Sequence, residues 1–286
     1  MFVLRALSSI SLTALFLAAV LWKEEEAKIL FTACAGLFGF FSVRECLKMF
    51  ETAGKRSYSL FGALFGAGIL MMTLYSPIER VILCGLTLTV LLSWIVILLS
   101  KNKMAVLERV LHTLAGIVII IIPLSFLGAI YTVGEGLDNS GRFFILFLVL
   151  VTKSGDIGAY VFGTLSNKLM PGGNHKITPV ISPKKSWEGV FGGLLLSLIV
   201  AYFLSSLLSE NCLIGRLGYA VLMGTLLFVG GFCGDLAESA MKRIVGVKDS
   251  GASIPGIGGV MDLLDSLLFN APLYFCCIQL LHCVNK

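Results

Sequence analysis

Apolar runs of about 20 residues recur along most of this 286-residue chain, and no other feature restricts its fold so tightly. A bilayer core ~30 Å thick is crossed by about 20 helical residues, and within it each backbone N–H and C=O must be bonded inside its own segment. Only 14% of the residues are charged and 57% are hydrophobic, with a mean hydropathy of +0.94. A soluble domain carries about 25% charged residues, so that class is excluded. The expected fold class is all-α, a polytopic membrane protein with about nine transmembrane helices. The expected spans are near 3–22, 28–43, 57–76, 81–100, 110–132, 143–165, 187–208, 217–241 and 262–283. The first run lies behind Arg5 and resembles a signal peptide in length, but no small-x-small cleavage site precedes Lys23, and many spans follow it. It is therefore read as a span. Eight cysteines lie mostly inside apolar runs, none in a CxxC or Cys/His spacing, and read as small packing residues.

Lysine and arginine in short loops set the orientation of such a chain. The amino terminus and the loops after spans two, four, six and eight carry fifteen of them, and the opposite side carries six, with Lys153 left out because it falls within a span. This places the amino terminus and the loops 166–186 and 242–261 in the cytoplasm, and the carboxyl terminus outside. The two polar constellations described below both lie in the second half. The chain therefore divides into a region of about five spans, 1–142, and a region bearing the candidate chemistry, 143–286.

The first polar constellation is 152–193. Lys153 and Asp156 stand one helical turn apart in an otherwise apolar stretch. An ionised group at mid-membrane costs roughly 2.5–3.5 kcal/mol on insertion scales, so it faces a cavity or a partner. The plainer reading is a pair that satisfies itself. After the loop comes Ser182-Pro183-Lys184-Lys185-Ser186-Trp187-Glu188-Gly189. Ser186 is placed to cap the next helix, and two lysines before a helix amino terminus make a reasonable anion site. Positive-inside anchoring explains Lys184 and Lys185 equally well, but it has no need of Glu188. Gly192 and Gly193 permit close helix packing.

The second constellation is 235–265. On a helix, Asp235, Ser239 and Lys242 share a face, with Glu238 beside them, and Asp262 and Asp265 share a face at the start of the last span. Between them lies a loop with Gly251, Pro255, Gly256, Gly258 and Gly259, flexible enough to bring backbone close to phosphate. Three carboxylates with lysines and an arginine nearby suit Mg²⁺ bridging substrate phosphates. An ion-pair network closing two helix ends, and a proton or ion pathway, are the competing readings.

Ser239, Met241, Lys242, Arg243, Lys248, Asp249, Gly251, Ile254, Pro255, Gly258, Gly259, Val260, Asp262, Leu264 and Asp265 follow an unbroken spacing over 27 positions. This run resembles the signature of the phosphatidate cytidylyltransferase family, the CDP-diglyceride synthetases. Asp156, Ala159-Tyr160, Gly163 and the run from Ser182 to Gly189 are similar to the same family. Together these motifs cover about the last 130 residues. Two positions depart from the pattern: Ile257 replaces a histidine and Leu263 an arginine. Their phosphate-gripping roles are therefore absent here, or fall to Arg243, Lys248 or His175.

The resemblance implies a membrane nucleotidyltransferase of phospholipid biosynthesis. It would transfer CMP from CTP to phosphatidic acid, giving CDP-diacylglycerol and pyrophosphate. It implies a metal site arranged by Asp235, Asp262 and Asp265 for Mg²⁺, with room for a second, monovalent cation such as K⁺. Under this reading Ser239, Lys242, Arg243 and Lys248 hold phosphates, and Asp249 orients Lys248 or joins them. Lys184 and Lys185 hold the CTP or pyrophosphate end, with Asp156, Ser186, Glu188, Gly258 and Gly259 lining the substrate site. The expected partners are the two substrates, the bilayer and a second copy in a homodimer, without nucleic acid, in a bacterial cytoplasmic membrane. A CTP-dependent lipid kinase of the polyprenol type is the alternative enzyme, and an inactive paralogue fits Ile257 and Leu263. An ion-coupled transporter fits less well, because the acids lie at span ends and no inverted repeat is visible.

Overall fold

The computed structural model of the chain describes residues 2–22, 24–133, 141–207, 215–256 and 258–283. Nine α-helices stand among the described residues. They are α1 (Phe2–Leu21), α2 (Glu24–Thr52), α3 (Ser59–Met72), α4 (Ile78–Leu99), α5 (Lys103–Val133), α6 (Gly141–Leu169), α7 (Trp187–Leu204), α8 (Gly215–Ile244) and α9 (Val260–Cys283). Each coincides with one of the nine apolar runs. Seven of them, α2 and α4 to α9, are long and apolar enough to cross a membrane. With 14 residues α3 reaches ~21 Å, short of a ~30 Å core, and the apolar stretch of α1 is Leu7–Leu21. The protein is an all-α integral membrane protein.

The second run is longer than its apolar content suggested: the helix expected over 28–43 continues to Thr52. Charged Arg44, Glu45, Lys48 and Glu51 read as loop, yet Val43, Cys46, Leu47 and Phe50 keep the i, i+3, i+4, i+7 spacing of one helix face. Val43, Cys46 and Leu47 are fully buried.

By packing, the residues form two compact units. Unit 1 comprises Met1–Thr132 with Lys242–Leu264, and unit 2 comprises Val133–Met241 with Asp265–Lys286. Most of the signature loop, within Lys242–Leu264, thus packs with the amino-terminal helices.

Within unit 1, glycines on one helix receive large side chains from the next. A Cβ at Gly116 of α5 would lie 2.5 Å from Leu47 of α2, one at Gly39 of α2 would lie 2.8 Å from Leu70 of α3, and one at Gly66 of α3 would lie 2.8 Å from Ile121 of α5. Such small-to-large seams let helices approach closely where lipid gives no hydrophobic drive to associate. The same device places α4, whose Gly85 faces Ile69 of α3.

Unit 2 is built around α6, α7, α8 up to Met241, and α9 from Asp265. Along the α6–α7 seam backbone meets backbone: a Cβ at Gly158 would lie 2.6 Å from the Gly192 carbonyl, and one at Gly193 2.8 Å from the Gly155 carbonyl. Asn270 of α9, fully buried, donates to Thr152 Oγ1 of α6 (2.8 Å) and to the Leu227 carbonyl of α8 (2.7 Å). Nearby, Tyr219 and Tyr274 share a hydroxyl contact of 3.0 Å, and the Tyr274 ring stacks on Phe147. Buried polar groups that find partners fix helix register more tightly than apolar packing alone. Between α6 and α7 a short antiparallel ribbon pairs β1 (Lys176–Thr178) with β2 (Ser182–Ser186).

Candidate active site

The ribbon delivers the first motif to the head of α7. Ser186 is the cap, as the sequence indicates: its side chain accepts the Gly189 N–H at 3.2 Å. Glu188, in the first turn, accepts from His175 Nδ1 at 2.6 Å and from the His175 backbone N–H. Trp187 N–H in turn donates to the His175 carbonyl. Glu188 thus ties the loop to the helix start. Lys184 and Lys185 part company here. Lys184 is exposed, whereas Lys185 is largely buried and its Nζ meets Asp235 Oδ2 at 3.0 Å and the Phe232 carbonyl at 3.1 Å. The same ammonium stands 4.1 Å from the Phe232 ring centre, where the ring face adds to its stabilisation.

Asp235, on α8, opens onto a cluster of acids. One oxygen from each of Asp235, Glu238 and Asp265 lies within 4.8 Å of the other two. Glu238 and Asp265 are both more than nine-tenths buried. Helical spacing brings Asp235 and Glu238 to one side of α8, and Gly234 lets α9 approach, since a Cβ there would collide with the Asp265 backbone. Asp265 Oδ1 accepts from the Ser266 N–H (2.5 Å) and hydroxyl (3.0 Å), and that hydroxyl lies 3.2 Å from Asp156 Oδ2. Asp156 is paired with Lys153 at 3.0 Å. The self-satisfying pair is therefore present, but Ser266 joins it to the acid cluster. Ser239 Oγ stands at the limit of bonding distance, 3.5 Å, from Asp235 Oδ1.

Four carboxylates and two lysines thus share one region of unit 2. Buried like charges this close repel strongly unless a cation stands among them. The donors are all hard carboxylate oxygens, which suit Mg²⁺ and do not favour a soft metal. Asp235, Glu238 and Asp265 are the residues that could hold such an ion.

In unit 1, Lys242 Nζ and Asp262 Oδ1 form an ion pair of 2.8 Å, and Asp262 Oδ2 accepts the Gly259 N–H at 3.0 Å. Asp262, the implied third metal ligand, is thus engaged with a lysine and with its own helix start. Arg243, Lys248 and Asp249 are exposed. Gly258 has φ +130°, a conformation that favours glycine, and bridges back to Ile254. Ile257 lies outside the described residues.

Two participants carried no clear signal in the sequence. Ser266 is an ordinary serine in an apolar run, and Glu45 of α2 looks like one charge among several. Yet Glu45 is almost fully buried, and its Oε2 accepts the Met261 N–H at 2.9 Å.

Comparison with known proteins agrees with the resemblance. The model described as "Cytidylyltransferase family" matches residues 3–281. The chain is 39% identical over 184 residues to a phosphatidate cytidylyltransferase of Staphylococcus saprophyticus, covering 64% of each protein. It is 37% identical over 184 residues to one of Staphylococcus haemolyticus, again with 64% of each covered. An uncharacterized Escherichia coli protein, YnbB, is 41% identical over 138 residues, which is 48% of this chain and 43% of that protein. The matched segments thus span less than two-thirds of these relatives' lengths.

Proposed function

This chain belongs to the cytidylyltransferase family, and from that premise we propose that it transfers CMP from CTP to phosphatidic acid, giving CDP-diacylglycerol and pyrophosphate. The observation that carries the reading is the buried carboxylate cluster beside Lys185 and Lys153, in a protein whose helices suit a bilayer. Relatives named phosphatidate cytidylyltransferase support the choice of lipid.

In this reaction a phosphate oxygen of phosphatidic acid bonds to the α-phosphorus of CTP. The bond from that phosphorus to the bridging oxygen breaks, and pyrophosphate leaves with the electron pair. A phosphate monoester is already anionic near neutral pH, so no side chain is needed to remove a proton. What must be overcome is repulsion between two anions, which is a task of positioning and charge. Lys185, held by Asp235 and the Phe232 carbonyl, presents a fixed cation of the kind a leaving pyrophosphate needs. Exposed Lys184 adds a second cation. Lys242, Arg243 and Lys248 keep the phosphate-holding role that the resemblance implies, and Ser239 offers a hydroxyl next to Asp235. Asp156 holds Lys153 in its orientation, and Glu188 with Ser186 fixes the loop that bears Lys184 and Lys185.

Asp235, Glu238 and Asp265 would hold Mg²⁺, which supplies positive charge to phosphate oxygens when bound. Glu238 enters on geometry, and Asp262 stays in the metal proposal on the resemblance alone. A monovalent cation such as K⁺, a homodimer, and a bacterial cytoplasmic membrane with the amino terminus inside also rest on the resemblance and on the lysine and arginine distribution.

The test is purified protein in mixed micelles with phosphatidate, α-labelled CTP and Mg²⁺. Labelled lipid and pyrophosphate formed in equal amounts are expected. In parallel micelles that contain a polyprenol, release of CDP with an unlabelled phosphorylated polyprenol would identify the kinase reading instead, and absence of any CTP-dependent product from phosphatidate would overturn the proposal.

A further inference from the structure

The glycines of the signature loop read, from sequence, as room for phosphate. In the structure Gly251 and Gly259 make room for something else. A Cβ at Gly251 would lie 2.5 Å from Glu45 Oε1, and one at Gly259 would lie 2.7 Å from Glu45 Oε2 and collide with Ser250 Oγ. Both absent side chains leave space for one carboxylate from α2.

That carboxylate stands at the amino terminus of α9. The helix begins at Val260, so Gly259 is its N-cap residue, and Met261 and Asp262 are its second and third positions. The first N–H groups of a helix have no partner within it, and an N-cap side chain ordinarily accepts one of them. Gly259 has no side chain to do so. Asp262 supplies half of a capping box by reaching back to the Gly259 N–H at 3.0 Å. The other half comes from 216 residues away, where Glu45 Oε2 accepts the Met261 N–H at 2.9 Å. A negative group here is further favoured by the positive end of the helix dipole, which helps a carboxylate only 4% exposed to be tolerated. A second tie from the amino-terminal helices holds the same loop: Ser8 Oγ of α1 donates to the Pro255 carbonyl at 2.7 Å.

We infer that Glu45 is a positioning residue: it caps α9 in place of a local side chain, and so fixes the signature loop and the Asp262 carboxylate that pairs with Lys242. Its importance for activity rests on the proposed reaction, but its capping role does not.

The experiment compares wild type, Glu45→Gln, Glu45→Ala and Gly259→Ala, each purified in detergent. Backbone hydrogen exchange over 250–262 is measured together with CTP-dependent labelling of phosphatidate. In Glu45→Ala, exchange over 258–262 should rise about tenfold or more, in line with loss of a hydrogen bond to a charged group, while exchange over 143–158 stays at the wild-type rate. The turnover number should fall by about tenfold or more. Glu45→Gln keeps an oxygen that can accept the Met261 N–H, so both readouts should stay within about threefold of wild type. Gly259→Ala places a methyl where the carboxylate lies, and should loosen the loop with Glu45 still present. It decides the matter should Glu45→Ala fail to fold. Wild-type exchange in a folded Glu45→Ala or in Gly259→Ala would overturn the inference, as would a Gln variant as loose as the Ala variant. If wild type forms no labelled lipid, the proposed reaction fails while the exchange measurements still decide the cap.

Discussion

Asp235 receives Lys185 on one oxygen and borders Ser239 on the other, while Glu238 and Asp265 complete the acid group from greater depth. The resemblance names Asp262 for the metal, and the geometry adds Glu238. Titrating Mg²⁺ separates their parts. Glu238→Gln should raise the Mg²⁺ concentration for half-maximal activity by about tenfold or more, as expected when a carboxylate is removed from a cation that needs it. Asp262→Asn should show a similar rise if its metal role holds. A rise in the CTP requirement alone would assign it to setting Lys242. The paired lysines also make unequal predictions. Lys185→Met removes an ion pair, a carbonyl contact and a ring contact, and should lower turnover at least about tenfold more than Lys184→Met, whose side chain is exposed. From sequence the two were equivalent, because adjacency in a motif says nothing about which neighbour turns inward.

The helices themselves were legible because each is an apolar run of nearly the right length. What the runs could not show is where charged residues continue a helix. Arg44 to Glu51 read as a cytoplasmic loop, and that reading hid Glu45, whose partner is 216 residues away. Local motifs announce themselves by spacing, whereas a long-range cap has no spacing to read. The β1–β2 ribbon was equally silent, being three and five residues long with a proline within it. Glycine roles divide in the same way. The packing role of Gly192 and Gly193 is visible in the sequence as a pair, but Gly158, opposite them, stands alone there with no such signal. Gly158→Ala would drive a methyl into the Gly192 carbonyl and the Gly193 backbone, neither of which can yield. It should destabilise by about 1–3 kcal/mol, lowering Tm in detergent by several degrees. Gly68→Ala, where a Cβ meets nothing within 4 Å, should leave Tm unchanged or raise it, because alanine is the better helix former.

For the molecule as a whole, membrane class follows from hydropathy and the family from a signature spaced over 27 positions, while orientation rests on charge asymmetry. Fifteen lysines and arginines against six should hold the 166–186 loop in the cytoplasm. A cysteine introduced at Lys168, in a variant lacking native cysteines, should resist an impermeant maleimide added to intact cells and react after lysis. Reaction in intact cells would reverse the orientation. The catalytic claim joins the reaction to the acid cluster, and one comparison tests it: the rate of labelled lipid formation from α-labelled CTP by wild type and by Asp265→Asn, at equal amounts of membrane-inserted protein and across a range of Mg²⁺. Formation of CDP-diacylglycerol that depends on Mg²⁺, and a loss of about a hundredfold or more in the variant, is the expected result. Near-normal turnover by Asp265→Asn with an unchanged Mg²⁺ requirement would contradict it.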